Sequence, residues 1–151
     1  MTECALKTSI IRLFPVLTLL AACATPEPEQ SSRSAQFAEY PDQLFSTFEI
    51  SCEGPEERFT RPERSSFECR SSLPPETTAF LILNYDGYPQ DLPKGVRRMS
   101  STRNQAGYRV DAELFFLVPQ KDGATIKVPV ESSVLDDELT RLYRYFGGTP
   151  L

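Results

Sequence analysis

The 151-residue chain contains no histidine and no tryptophan. Without histidine it lacks the commonest general base at neutral pH, so neither a Ser-His-Asp nor a Cys-His catalytic arrangement can be assembled from it. Structural zinc is poorly served too, because its usual ligands are imidazole and thiolate and the chain has only four cysteines. No apolar run reaches the roughly eighteen residues that a membrane-spanning helix requires. Glycine is scarce at seven residues, and Gly87, Gly95, Gly107 and Gly123 stand alone, so there is no phosphate-binding loop or dinucleotide fingerprint.

Basic charge is in deficit. Sixteen Lys and Arg face 21 Asp and Glu, a formal net charge of -5, which disfavours nucleic acid as a partner over most of the surface. The remaining composition, 40% hydrophobic and 25% charged, is that of one globular domain, although 13 prolines imply many chain breaks.

The amino end carries Lys7 and Arg12, then a brief apolar stretch from Leu13 to Ala21, then small residues. That order of charge, grease and small side chains is a secretory leader, too short for a membrane span. It ends in "LAAC", residues 20 to 23, which resembles the lipobox of bacterial lipoproteins. The resemblance implies a leader over residues 1–22 and a Cys23 that becomes the lipidated amino terminus. It also implies an outer-membrane location facing the periplasm, since Ala24 is not the aspartate of the best-known inner-membrane retention signal. Two or three acyl chains anchor stably where one binds only marginally.

Residues 23–36 form the lipidated cysteine and a linker, and residues 37–151 a single periplasmic domain. The stretch "ATPEPEQSSRSAQ" (24 to 36) is polar, lacks apolar periodicity and cannot bury enough surface to fold. Fully extended it spans about 43 Å, and as a flexible chain roughly 20 Å. Removing Glu3, Lys7 and Arg12 with the leader leaves 20 acids against 14 bases, a net charge of -6. Cys4 leaves with the leader and Cys23 carries lipid, so Cys52 and Cys69 remain to form a disulfide in an oxidising compartment.

The expected fold is α+β, an antiparallel sheet of about five strands with an amino-terminal and a carboxyl-terminal helix packed on it. Pro41 and Asp42 open the first helix, whose apolar face is Leu44, Phe45, Phe48 and Cys52, although Phe48, Ile50 and Cys52 also alternate as in a strand. Residues 55 to 65 read as an exposed charged loop. Strands are expected over 66 to 73 and over 79 to 85, where "AFLILNY" suggests a central strand covered on both faces. A hairpin joins 96 to 103 with 108 to 118 through "NQAG". Its register opposes Thr102 to Arg109, Ser100 to Asp111 and Arg98 to Glu113, with Met99, Val110, Ala112 and Leu114 on the core side. Phe115 and Leu117 share the wet side's parity and call for a covering helix or loop. Pro129 marks "TIKVPV" (125 to 130) as an edge strand. The last helix is capped by Ser133, has Asp136 near its start and Arg141 and Arg144 near its end, and buries Leu135, Leu139, Leu142, Tyr143 and Phe146 before Gly147 and Gly148 stop it. The layout is loosely similar, at the level of fold alone, to the helix-grip modules of outer-membrane assembly lipoproteins.

The most unusual surface segment is "YDGYPQDLPKG", residues 85 to 95. Tyr85 and Tyr88 are candidates to anchor a partner or stack on a sugar, and Asp86 and Asp91 to contribute to a calcium site. Acid pairs at Glu56 and Glu57 and at Asp136 to Glu138 leave a carboxylate-dependent hydrolase open. The leading expectation is a non-enzymatic envelope lipoprotein, with no cofactor and no metal, that touches the membrane through lipid on Cys23 and binds a protein partner. The alternative is an inhibitor of a wall-degrading enzyme such as a lysozyme. The mature product is expected to begin at an acylated Cys23: intact-mass analysis of the membrane fraction should show the acyl groups, and Cys23→Ser should remove them and release the protein to the soluble fraction.

Overall fold

The computed structural model describes residues 32–151. In chain order the elements are β1 (Ser34–Phe37), α1 (Asp42–Ile50), β2 (Glu57–Glu63), β3 (Ser66–Ser72), α2 (Pro75–Asn84), β4 (Lys94–Asn104), β5 (Gly107–Pro119), β6 (Thr125–Pro129), α3 (Ser133–Tyr145) and β7 (Thr149–Pro150). The fold is α+β. Its one antiparallel sheet has seven strands ordered β2-β3-β4-β5-β1-β7, with β6 also paired to β5. Thus β5 has β4 along one edge and, on the other, β1 over Tyr108 to Asp111 and β6 over Phe115 to Pro119.

The β4–β5 hairpin has the expected register: Thr102 opposes Arg109, Ser100 opposes Asp111 and Arg98 opposes Glu113. Asn104 Oδ1 accepts from the Ala106 amide in the turn. Gly107, at φ +120°, closes it where a Cβ would stand only 2.2 Å from the Phe37 carbonyl oxygen, so a side chain is excluded on both counts. Met99, Val110 and Ala112 are buried on the helix side of the sheet. There α1 buries Leu44, Phe45 and Phe48, and Phe45 stacks on Phe67 of β3 with ring centroids 4.4 Å apart.

Several elements differ from the sequence expectation. Residues 79 to 84 belong to a helix, α2, with Tyr85 as its cap, and not to a central strand. Pro75 sits in its first turn, where a missing amide costs nothing, and a short apolar run has no periodicity to separate helix from strand. Residues 57 to 63, expected as loop, form the edge strand β2, in which Phe59 pairs with Cys69 and Pro62 lies beside a register shift. Residues 34 to 36, expected at the end of the linker, lie in β1. The cap of α3 is Ser132, one residue earlier than expected, whose Oγ accepts from the Leu135 amide. Its far end closes as expected at the glycines, Gly147 donating to the Arg144 carbonyl and Gly148 to that of Tyr143.

On the other face of the hairpin, charge lies over Phe115. Phe115 is almost fully buried beneath the Arg98 guanidinium, 5.1 Å from the ring centroid, and the Lys127 ammonium at 4.2 Å. Beside them the Glu68 carboxylate, 2% exposed, is gripped by Arg98 and Arg70, and Arg98 and Lys127 both reach Glu113. Burial pushes the Glu68 pKa up, but the hydrogen bonds from Arg98 and Arg70 outweigh it and hold the carboxyl below its usual value. A depressed folded pKa stabilises the protein above the ordinary glutamate range, and that stabilisation is lost as pH falls through and below it. Glu68→Gln should therefore cost about 3 kcal/mol at neutral pH, with the gap from wild type narrowing on acidification, as read by denaturant melts across pH.

Cys52 and Cys69 form a disulfide between the turn after α1 and β3, with Cα atoms 5.7 Å apart. It closes a loop of sixteen intervening residues that contains β2. A double Cys52→Ala, Cys69→Ala variant should lose about 3 kcal/mol of unfolding free energy, measured in urea.

Candidate functional site

The helices α1 and α3 lie on one face of the sheet, and a groove of about 320 Å³ is lined by residues of both. Its floor is Met99 of β4 with Ala112 and Leu114 of β5; Thr47 and Phe48 form one wall, and Leu135, Leu139 and Leu142 the other. A second hollow of about 570 Å³ shares Thr47 and Leu142 and carries the line of apolar side chains out to Ile50, Tyr145 and Phe146. Ile50 and Tyr145 are 64% and 82% exposed. Here the structure departs from the sequence reading of α3. Only Tyr143 of the expected stripe is fully buried, joined by Thr140, whereas Leu135, Leu139, Leu142 and Phe146 are half-buried.

The rotation of α3 has a local cause. Burial raises the Tyr143 hydroxyl pKa far above its ordinary value, keeping it neutral, and the hydroxyl donates to the Arg33 carbonyl at 2.9 Å. Thr140 Oγ1 accepts from the Ser32 amide at 2.8 Å, and Arg33 Nε donates to Asp136 at 2.6 Å. Three successive turns of α3 are thus clasped to the strand end at Ser32 and Arg33. Thr140 and Tyr143 point at that strand, and the leucines are left facing the groove.

Cations at the groove rim already have partners. Arg33 is held by Asp136, while Arg97 donates to Glu57 at 2.8 Å, to the Ser51 carbonyl and to Cys69 Sγ. What the groove offers is mainly apolar surface, the composition of a site that recognises shape and grease. The sheet edges offer little by contrast. The outer strands β2, β6 and β7 contain Pro62, Pro129 and Pro150, which interrupt the row of donors that an added strand needs.

The Tyr85–Asp91 segment is explained by its own folding. Tyr85 caps α2, and Asp86 takes the left-handed conformation, φ 51°, that closes the helix, with Gly87 donating to the Ile82 carbonyl. The Tyr88 amide donates to the Pro119 carbonyl, its hydroxyl to Gln90, and the Asp91 amide to the Tyr88 carbonyl. Asp86 and Asp91 are exposed and the two tyrosines half-buried. The loop is a built turn, and the structure does not bring it to the groove. Of the acids considered for hydrolysis, Glu57 is bound by Arg97 and the Gly54 amide, and Asp136 by Arg33. Among the described residues Cys52, Glu57 and Cys69 are the one cluster of three metal-type ligands, but there the two sulfurs are bonded to each other. Cys23 lies outside the described residues.

The chain matches no protein-family model, no curated protein and no solved structure. No helix among the described residues is long and apolar enough to cross a membrane. The groove residues were visible in the sequence only as two apolar stripes. What could have marked them is that the α3 stripe is wider than one contact needs, with Leu135, Leu139, Leu142, Tyr143 and Phe146 all on it.

Proposed function

We propose that this is a non-enzymatic bacterial envelope lipoprotein, anchored through lipid on Cys23 at the outer membrane and facing the periplasm, whose domain binds a protein partner between α1 and α3. The observation that carries this reading is the groove itself: a gap on the helix face lined by Phe48, Met99, Leu114, Leu139 and Leu142, with the cations at its rim, Arg33 and Arg97, held by Asp136 and Glu57. Prolines in the outer strands turn a partner away from the sheet edges and toward the helices. An amphipathic segment with an apolar ridge fits such a gap, because the ridge is desolvated while its polar side stays in water. The role that follows is accessory or structural.

A photoreactive residue placed at Leu139 in intact cells should crosslink a discrete protein, whereas the same probe at Tyr88 should not. Leu139→Glu should weaken capture of that partner by at least about tenfold, since it charges a central apolar contact, while leaving the melting transition nearly unchanged because Leu139 is only half-buried. Equal crosslinking from both positions, or none from Leu139, refutes the groove as the binding site.

A further inference from the structure

The helix α2, "PETTAFLILN", is apolar on more sides than the protein covers. Leu81 is buried, but Phe80 is 57% and Leu83 82% exposed, and Leu92 beyond the helix is 50% exposed. Its second half, Ala79 to Leu83, is apolar on every side, and such a segment belongs in a place where both sides are covered. Monomer surfaces scatter single exposed apolar residues freely, but three on one short segment call for an occupant.

The strand register indicates which occupant. In β1 Ser34 opposes Asp111 and Phe37 opposes Tyr108, so the chain upstream of Ser34 runs toward the Pro119 end of β5. The Arg33 carbonyl accepts from the Ala112 amide, continuing that direction. At the Pro119 end sits the carboxyl end of α2: the Tyr88 amide donates to the Pro119 carbonyl, and Gln120 donates to the Tyr85 carbonyl at 3.1 Å. From Ala112 to Pro119 is about 23 Å of strand. Residues 24 to 31 span at most about 28 Å when extended. A lipid on Cys23 therefore lies within reach of α2.

We propose that α2 rests on the lipid leaflet that holds the acyl chains of Cys23, with Phe80, Leu83 and Leu92 in its headgroup region, so that the domain is oriented on the membrane and not merely leashed to it. This rests on the lipid-anchor reading above. It leaves the α1–α3 groove free for the partner, since the helix face and the α2 end are separate surfaces. Residues 71 to 93 include Glu76, Asp86 and Asp91 and no lysine or arginine, so the leaflet that suits them has little net negative charge. Apolar side chains supply the contact and acids select the surface.

Because the chain has no tryptophan, Leu83→Trp introduces a single indole at the exposed tip of α2. The full lipidated L83W protein is reconstituted in zwitterionic phosphatidylcholine vesicles with brominated acyl chains. Its emission should shift to shorter wavelength and be largely quenched, and the quenching should fall when anionic phosphatidylglycerol is mixed in. A Gln105→Trp control, in the hairpin turn at the opposite end of β5, should keep its emission. Flotation and intact mass of the same samples read the anchor separately. Protein that floats with acylated Cys23 but shows equal quenching in L83W and Q105W overturns the placement of α2 and leaves the anchor standing. Unmodified Cys23 with no flotation overturns both. A blue shift of L83W that appears without lipid and grows with protein concentration assigns the face to a second copy and overturns the membrane proposal.

Discussion

The architecture depends on one constraint, the division of the free edge of β5 between two strands. Along its thirteen residues β5 meets β4 on one side, while on the other β1 occupies the Tyr108 end and β6 the Pro119 end. Because both neighbours are antiparallel to β5, the amino-terminal chain must leave the sheet between them. It leaves at Ser32 and Arg33, against α3, and the clasp formed there by Thr140, Tyr143 and Asp136 fixes the rotation of that helix. One strand thereby sets where the amino-terminal chain emerges, which side of α3 is sealed and which side is left open.

The open side matters because the sealed one takes the strongest contacts. Tyr143 and Thr140 satisfy polar groups of the emerging chain, and Tyr143 adds an edge-on ring contact with Phe37 at 6.2 Å. The leucines one helical face away, Leu139 and Leu142, pack against the core only in part and line the gap before α1. On the opposite face of the sheet an apolar side chain, Phe115, lies beneath two cations whose charges are balanced by Glu68 and Glu113. Low dielectric beneath them strengthens both the ring contact and the ion pairs, so the network serves as a lid.

Much of this was legible in the chain where signals are local. The hairpin register follows from "NQAG" and strict alternation, and the β6 edge follows from Pro129. The disulfide between Cys52 and Cys69 was expected from the cysteines left once a leader with Cys4 and a proposed lipidation site at Cys23 were set aside. The amino- and carboxyl-terminal helices were correct in kind, though the cap of α3 moved from Ser133 to Ser132 because neighbouring serines offer equivalent oxygens. The 79 to 85 run was misread because seven apolar or nearly apolar residues fit a buried strand as well as a helix. The Tyr85–Asp91 loop drew attention for residues whose roles turned out to be helix closure and turn formation.

What the sequence alone determined, then, is what nearest neighbours along the chain control: period, turns, caps and the missing histidines that remove the usual general base. The tertiary structure decided which apolar stripes are covered and which stay open. That outcome cannot be local, because whether Leu139 and Leu142 are core or groove depends on how far away α1 stands, and what lies over Phe115 depends on cations brought beside it from β4 and β6. Burial is a property of pairs of elements, and a chain read residue by residue specifies only one member of each pair.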